Sequence, residues 1–155
     1  MQKQKGFTLV EMLVVIGLIA LLATAVLVAV NPARQFKFAR DTQRKAHLAT
    51  ILTAIGQNLA EHQGTFMCGN VSTFVPMEKS LIKSGGGSFT YDLAPCLVPT
   101  YLAKFPTDPK DPALNFYAST TSYYSGYSII EDASGHVTVS AASEIDPLLE
   151  ISITR

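Results

Sequence analysis

The chain of 155 residues has no tryptophan, two cysteines and three histidines, and only 15% of it is charged. Each shortage excludes something. Twelve Lys and Arg balance twelve Asp and Glu, so the basic surplus of a general nucleic-acid binder is missing. A chain that is 48% apolar does not meet the composition of disorder, which needs low hydrophobicity and high net charge. His47, His62 and His136 are scattered, His47 and His62 read as surface residues, no H-E-x-x-H run occurs, and two cysteines alone give no metal site. The G-x-S-x-G, Walker and dinucleotide fingerprints do not occur. Gly85-Gly86-Gly87 reads as a flexible turn, because nothing after it resembles the end of a phosphate loop. With no catalytic set, the chain does not read as an enzyme.

What is present is unevenly placed. Residues 12–30 contain 17 apolar residues out of 19 and no charge. At 1.5 Å per residue this run spans about 28 Å, which matches a bilayer core of about 30 Å. A buried helix of a soluble domain would keep a polar face, and this run has none. It is also longer than the apolar core of a secretory signal peptide. Residues 1–45 carry seven bases and two acids, and residues 46–155 carry five bases and ten acids. The sequence thus divides into a basic, apolar N-terminus and a mildly acidic head.

Glu11 is the odd residue, a carboxylate at the edge of the apolar run. Two readings are open. It sits at the membrane interface, where the N-terminal end of a helix dipole favours a negative charge. Or it meets a positive partner when chains assemble, since an unpaired carboxylate in hydrocarbon costs several kcal/mol.

The run Lys5-Gly6-Phe7-Thr8-Leu9-Val10-Glu11-Met12-Leu13-Val14-Val15 resembles the leader junction of type IV prepilins and of the pseudopilins of type II secretion systems. The resemblance covers about 30 residues. It implies a leader at residues 1–6, cleaved between Gly6 and Phe7 by a prepilin peptidase, with N-methylation of Phe7. It implies pairing of Glu11 with the Phe7 amine of a neighbouring subunit. It also implies partners: copies of the chain, related pilin subunits and an inner-membrane assembly platform. Localisation would be the bacterial inner membrane, single-pass, with the head outside the cytoplasm, and then a pilus or pseudopilus. Charge pulls the other way. Arg34, Lys37, Arg40, Arg44 and Lys45 follow the span, and the positive-inside rule taken alone would put the head in the cytoplasm.

After Asn31-Pro32 a helical pattern resumes. Pro32 predicts a kink near residues 28–32. Phe36, Ala39, Ala46, Leu48, Ile51, Leu52, Ile55 and Leu59 recur at spacings of three and four, a stripe suited to lying on a head. Arg40, Arg44, Gln57 and Asn58 fall mainly off it. Gly64 is a natural stop. The expectation is one helix from about Phe7 to Gln63, roughly 85 Å if continuous, with an apolar segment over 7–30 and an amphipathic one over 31–64. The basic run 34–45 reads first as a solvated helix face, with lipid head groups, acidic neighbouring heads and DNA as further readings, the last of them the weakest.

The head, residues 65–155, holds seven of the eight prolines. Five of them fall between Pro95 and Pro112, which predicts a turn-rich loop. Tyr123–Ile130 and His136–Ala141 read as a hairpin around Ser134-Gly135, with Glu150–Thr154 as a third strand. The fold class is therefore α+β, a long N-terminal helix packed by its second half on a small antiparallel sheet, as the pilin resemblance also implies. Tyr101–Pro109 and Tyr123-Tyr124 look, more loosely, like the loop before the sheet in major pseudopilins. With the head outside the cytoplasm, Cys68 and Cys96 can pair; the alternative is two separate thiols. Asp108 and Asp111 are weak calcium candidates by the same resemblance, and by themselves equally suit turn residues. No other cofactor is expected. The rival function is a monomeric, single-pass, membrane-anchored extracytoplasmic binding domain, with a tethered enzyme a distant third.

Overall fold

The computed structural model describes residues 6–155, so Lys3 and Lys5 of the leader lie outside the described residues. The chain divides into two compact units, Met1–Phe36 and Lys37–Arg155.

In the first unit, α1 runs Leu9–Val30. Its start is fixed by a capping box: Glu11 N donates to Thr8 Oγ1 at 3.2 Å, and Thr8 N donates to Glu11 Oε2 at 2.8 Å. Its end is fixed at Asn31, which takes a left-handed conformation with φ 42°. Thr24, the hydroxyl within the apolar run, donates back to the carbonyls of Ala20 and Leu21, so the polar atom has partners inside the helix. The expected single helix is therefore two. A second helix, α2, covers Pro32–Glu61, with Pro32 at its first position, where a missing N–H costs nothing.

In the second unit, α2 supplies one wall of the core. Leu48, Ile51, Leu52, Ala54 and Ile55 are buried with Phe105, Tyr127, Ile129 and Val139 in one cluster. The upper part of the expected stripe is corrected: Phe36, Ala39 and Ala46 are exposed. The buried face instead reads Asp41, Arg44, Leu48, Ile51, Ile55, Asn58. Its spacings of three, four, three, four and three are one continuous helical stripe, polar at both ends. Asn58 clamps the chain that follows the helix, donating from Nδ2 to Met67 O and accepting from Met67 N, each at 2.8 Å.

Among the described residues the strands number eight: β1 (Met67–Cys68), β2 (Val71–Ser72), β3 (Ser80–Lys83), β4 (Thr90–Tyr91), β5 (Phe116–Ser119), β6 (Ser122–Glu131), β7 (Val137–Ala142) and β8 (Glu150–Thr154). A short helix, α3 (Ala94–Leu97), stands at the start of the proline-rich loop. β1 and β2 form their own antiparallel pair. The main sheet has the order β4-β3-β6-β7-β8, and β5 pairs β6. Tyr124 pairs both Lys83 and Phe116, and Ser128 pairs both Leu81 and Ser140. So β5 and β7 lie on the same side of β6, covering its first and second halves. The three expected strands are present as β6, β7 and β8, antiparallel in sequence. The expected small antiparallel sheet is larger, and mixed, because β3 and β4 run parallel. Along β6 the alternate residues Tyr123, Ser125, Tyr127 and Ile129 are buried, the half-covered pattern of a sheet with a helix on one face.

Candidate functional site

The residues singled out at the N-terminus meet at the mouth of α1. Gly6 and Phe7 precede the helix and are exposed, so the bond between them lies in non-helical chain. Four residues on, Glu11 Oε2 accepts both Thr8 N at 2.8 Å and Thr8 Oγ1 at 2.9 Å. Glu11 thus forms a capping box, which satisfies two donors at the helix start and places a negative charge at the positive end of the dipole. The signal was in the sequence as Thr8-x-x-Glu11. From Leu9 to Val28 the helix is 20 residues of apolar chain with none of that span buried within the molecule. Twenty residues rise about 30 Å, and so large an exposed apolar surface marks a membrane or protein contact.

The head carries a second constellation that the sequence reading placed on a solvated face. Arg44 is 1% exposed. Its Nε and Nη2 donate to the two carboxylate oxygens of Asp108, both at 2.7 Å, in a bidentate fork. Its Nη1 donates to Asp41 at 2.6 Å, and Nη2 also reaches Glu144 at 2.8 Å. Arg40 forks onto Glu144 at 2.8 and 2.7 Å. One cation from α2 therefore ties down the proline-rich loop through Asp108 and the β7–β8 loop through Glu144. Burial acts to raise the pKa of Asp41, but donors from Ser143, Glu144 N, Arg44 and Ile145 N outweigh it and hold the carboxyl below its ordinary value. Glu144 is held below its ordinary value chiefly by the Arg40 hydrogen bond, against its burial and with help from Arg44. Burial would lower Arg44, yet its carboxylate partners raise it, so it stays charged. Asp41-x-x-Arg44 in step with Leu48 and Ile51 was the signal available in the sequence.

The expected surface positions of His47 and His62 are also corrected. His47 is half-buried, its Nδ1 2.8 Å from the Tyr127 hydroxyl, and burial pushes its pKa down against the opposing effects of the Thr107 backbone and Asp108. His62 is half-buried with Nδ1 2.8 Å from Asn58 O. Cys68 and Cys96 form a disulfide, with Cα atoms 4.2 Å apart. It ties the β1–β2 pair to α3.

The two calcium candidates act as turn residues. Asp108 Oδ1 accepts Lys110 N at 2.8 Å, and Asp111 Oδ1 accepts Ala113 N at 3.0 Å. Asp108 also brings the Arg44 guanidinium with it, a cation where a calcium site needs anionic or neutral oxygens. The pair as placed does not fit that metal. Among the described residues no group of three or more His, Cys, Asp or Glu side chains is arranged to hold a metal ion.

Comparison with known proteins adds one finding. Residues 1–27 match the family model of the prokaryotic N-terminal methylation motif, the prepilin-type signature. No curated protein and no solved structure was found to match the chain. The long apolar helix followed by a helix and a mixed sheet is an α+β, pilin-like architecture. Motif and apolar helix together support a membrane-anchored subunit of the type IV pilin-like class, and the motif points to a structural rather than a catalytic role.

Proposed function

We propose that the chain is a structural subunit of a type IV pilus-like or type II secretion pseudopilus filament. It enters the inner membrane through α1, is cleaved between Gly6 and Phe7, is N-methylated at Phe7, and polymerises through Glu11 and the apolar helix. One observation carries the reading: the methylation motif lies on the same residues as a 20-residue apolar helix that finds no burial inside its own chain. Lipid buries that surface before assembly, and the core of a filament buries it afterwards. The exposed, non-helical Gly6–Phe7 bond suits a protease, which needs extended chain. Cleavage there creates an ammonium on Phe7. A Glu11 carboxylate on a neighbouring chain gains from it a charge-assisted hydrogen bond in a low-dielectric setting.

Replacing Glu11 by Ala tests the reading. Membrane insertion should be unchanged, because the span keeps its length and apolarity, while filament assembly should be lost. Assembly that survives Glu11→Ala, in a chain whose Phe7 is never exposed as a new terminus, would favour the monomeric anchored domain instead.

A further inference from the structure

The head presents a protruding apolar ridge near one end of α2 and an apolar hollow near the other. The ridge is β2 with the chain just after it, where Val71 is 67% and Phe74 is 85% exposed. Its base is anchored at β1, where Cys68 is bridged to Cys96 and the Asn58 amide holds both backbone atoms of Met67, and Thr73 N donates to Phe66 O at 2.9 Å. A ridge ordered before contact loses little entropy on docking. The hollow, about 510 Å³, lies among Phe38 and Lys45 of α2, Ile145 and Leu149 of the β7–β8 loop, and Ile151 and Ile153 of β8. That volume falls in the range that encloses a ligand-sized group, so it has room for an aromatic ring. Phe38 and Asn58 are twenty residues apart on one helix, which separates the two features by about 30 Å.

Charge follows the same division. Glu131 shares with Phe74 the lining of a hollow at the ridge end, whereas Asp132 next to it caps its own turn at Ser134 N and His136 N. At the other hollow Asp41 is held by Arg44, Asp146 caps its own turn at Leu148 N, and Glu150 pairs with Lys79. Lys45 is the exposed cation on that rim.

We propose that the ridge of one subunit, with Phe74 as its anchor, seats in the α2–β8 hollow of a second copy of this chain, with Glu131 facing Lys45. This rests on the filament reading and names the contact between heads within it. Ridge and hollow are different surfaces of one molecule. Each contact therefore leaves a free ridge on one subunit and a free hollow on the other, which is the head-to-tail arrangement that propagates an open filament and does not stop at a dimer.

The test uses the full-length chain in membranes and measures the assembled fraction together with photo-crosslinking from position 74. A photoreactive aromatic amino acid in place of Phe74 should give crosslinks in filaments to peptides within 38–45 or 145–153. Phe74→Ser and Leu149→Ser should each lower the assembled fraction by at least about tenfold, the effect of losing a buried anchor. Leu114→Ser removes an exposed leucine that lines neither surface and should leave assembly unchanged. Lys45→Glu should impair assembly, and Glu131→Lys in the same chain should restore it. Filaments that form normally with Phe74→Ser and Leu149→Ser, or crosslinks that map elsewhere, overturn the proposed contact and leave the filament reading standing. If the unsubstituted chain forms no filament, that reading fails and the contact fails with it.

Discussion

Replacing Arg44 by Met should be among the most damaging single changes in the head. Methionine matches the length of the arginine stem but leaves three carboxylates, Asp41, Asp108 and Glu144, around an apolar side chain. Arg40 still satisfies Glu144, so the uncompensated groups are Asp41 and above all Asp108, which loses both halves of its fork. Removing one partner of a buried ion pair costs about 3–5 kcal/mol. Against a total stability of about 5–15 kcal/mol this is a large share. At about 4 °C per kcal/mol for a domain of this size, Tm should fall by about 12–20 °C. The assay is thermal unfolding of the full-length protein in detergent micelles, followed by near-ultraviolet circular dichroism of the tyrosines, since no tryptophan is present. Arg44→Lys should lie between the two, because an ammonium keeps the charge but cannot form the planar fork. An Arg44→Met protein within about 1 kcal/mol of the parent at pH 7 would refute the reasoning, since it would mean that the cluster is hydrated and not buried.

Three further outcomes follow from the same structure. Asp41 and Glu144 have lowered pKa values in the folded head, so the stability they confer is present above the ordinary carboxylate range of about pH 4 and is lost as pH falls through it. His47 is also lowered, so the unfolded chain binds its proton first and stability declines as pH drops below about 6.5; unfolding midpoints across pH 7 to 3 should show both steps, and His47→Gln should abolish the upper one. Cys68→Ser opens a bridge between residues 28 apart and should cost roughly 3–4 kcal/mol, read as a lower denaturant midpoint with an intact far-ultraviolet spectrum. Gly126→Ala places a Cβ 2.6 Å from Asn115 Oδ1 and 2.9 Å from Asp108 Cβ, at a φ of +79°, and should destabilise the head by about 1–3 kcal/mol in the same measurement.

The parts of the fold legible in the sequence were those where one physical signal dominated. An uncharged apolar run could only be a span or a fully buried helix, and strands β6, β7 and β8 alternate with an obvious turn between the first two. Strands β3, β4 and β5 have four residues or fewer and take their conformation from the strands they pair with, so no local periodicity marks them. The break at Asn31 rather than a bend within one helix depends on a single left-handed residue, which tolerates this conformation without demanding it. The buried face of α2 departs from the expected stripe because Arg44 and Asn58, being polar, are placed off it. Their spacing placed them on the core stripe, and the cost of burying Arg44 is offset by Asp41 on the same helix together with Asp108 and Glu144, which lie 64 and 100 residues away in sequence. At the N-terminus the Glu11 cap was written in the Thr8-x-x-Glu11 pattern. The assembly role proposed for it depends on a second chain.

We propose that the chain is cut between Gly6 and Phe7 and methylated before it assembles. Mass spectrometry of the mature N-terminus in the native membrane checks both steps. The expected species begins at Phe7 and carries one methyl group on its amine, with residues 1–6 absent. A membrane-embedded chain that still begins at Met1, or one cut at a bond other than Gly6–Phe7, would contradict it.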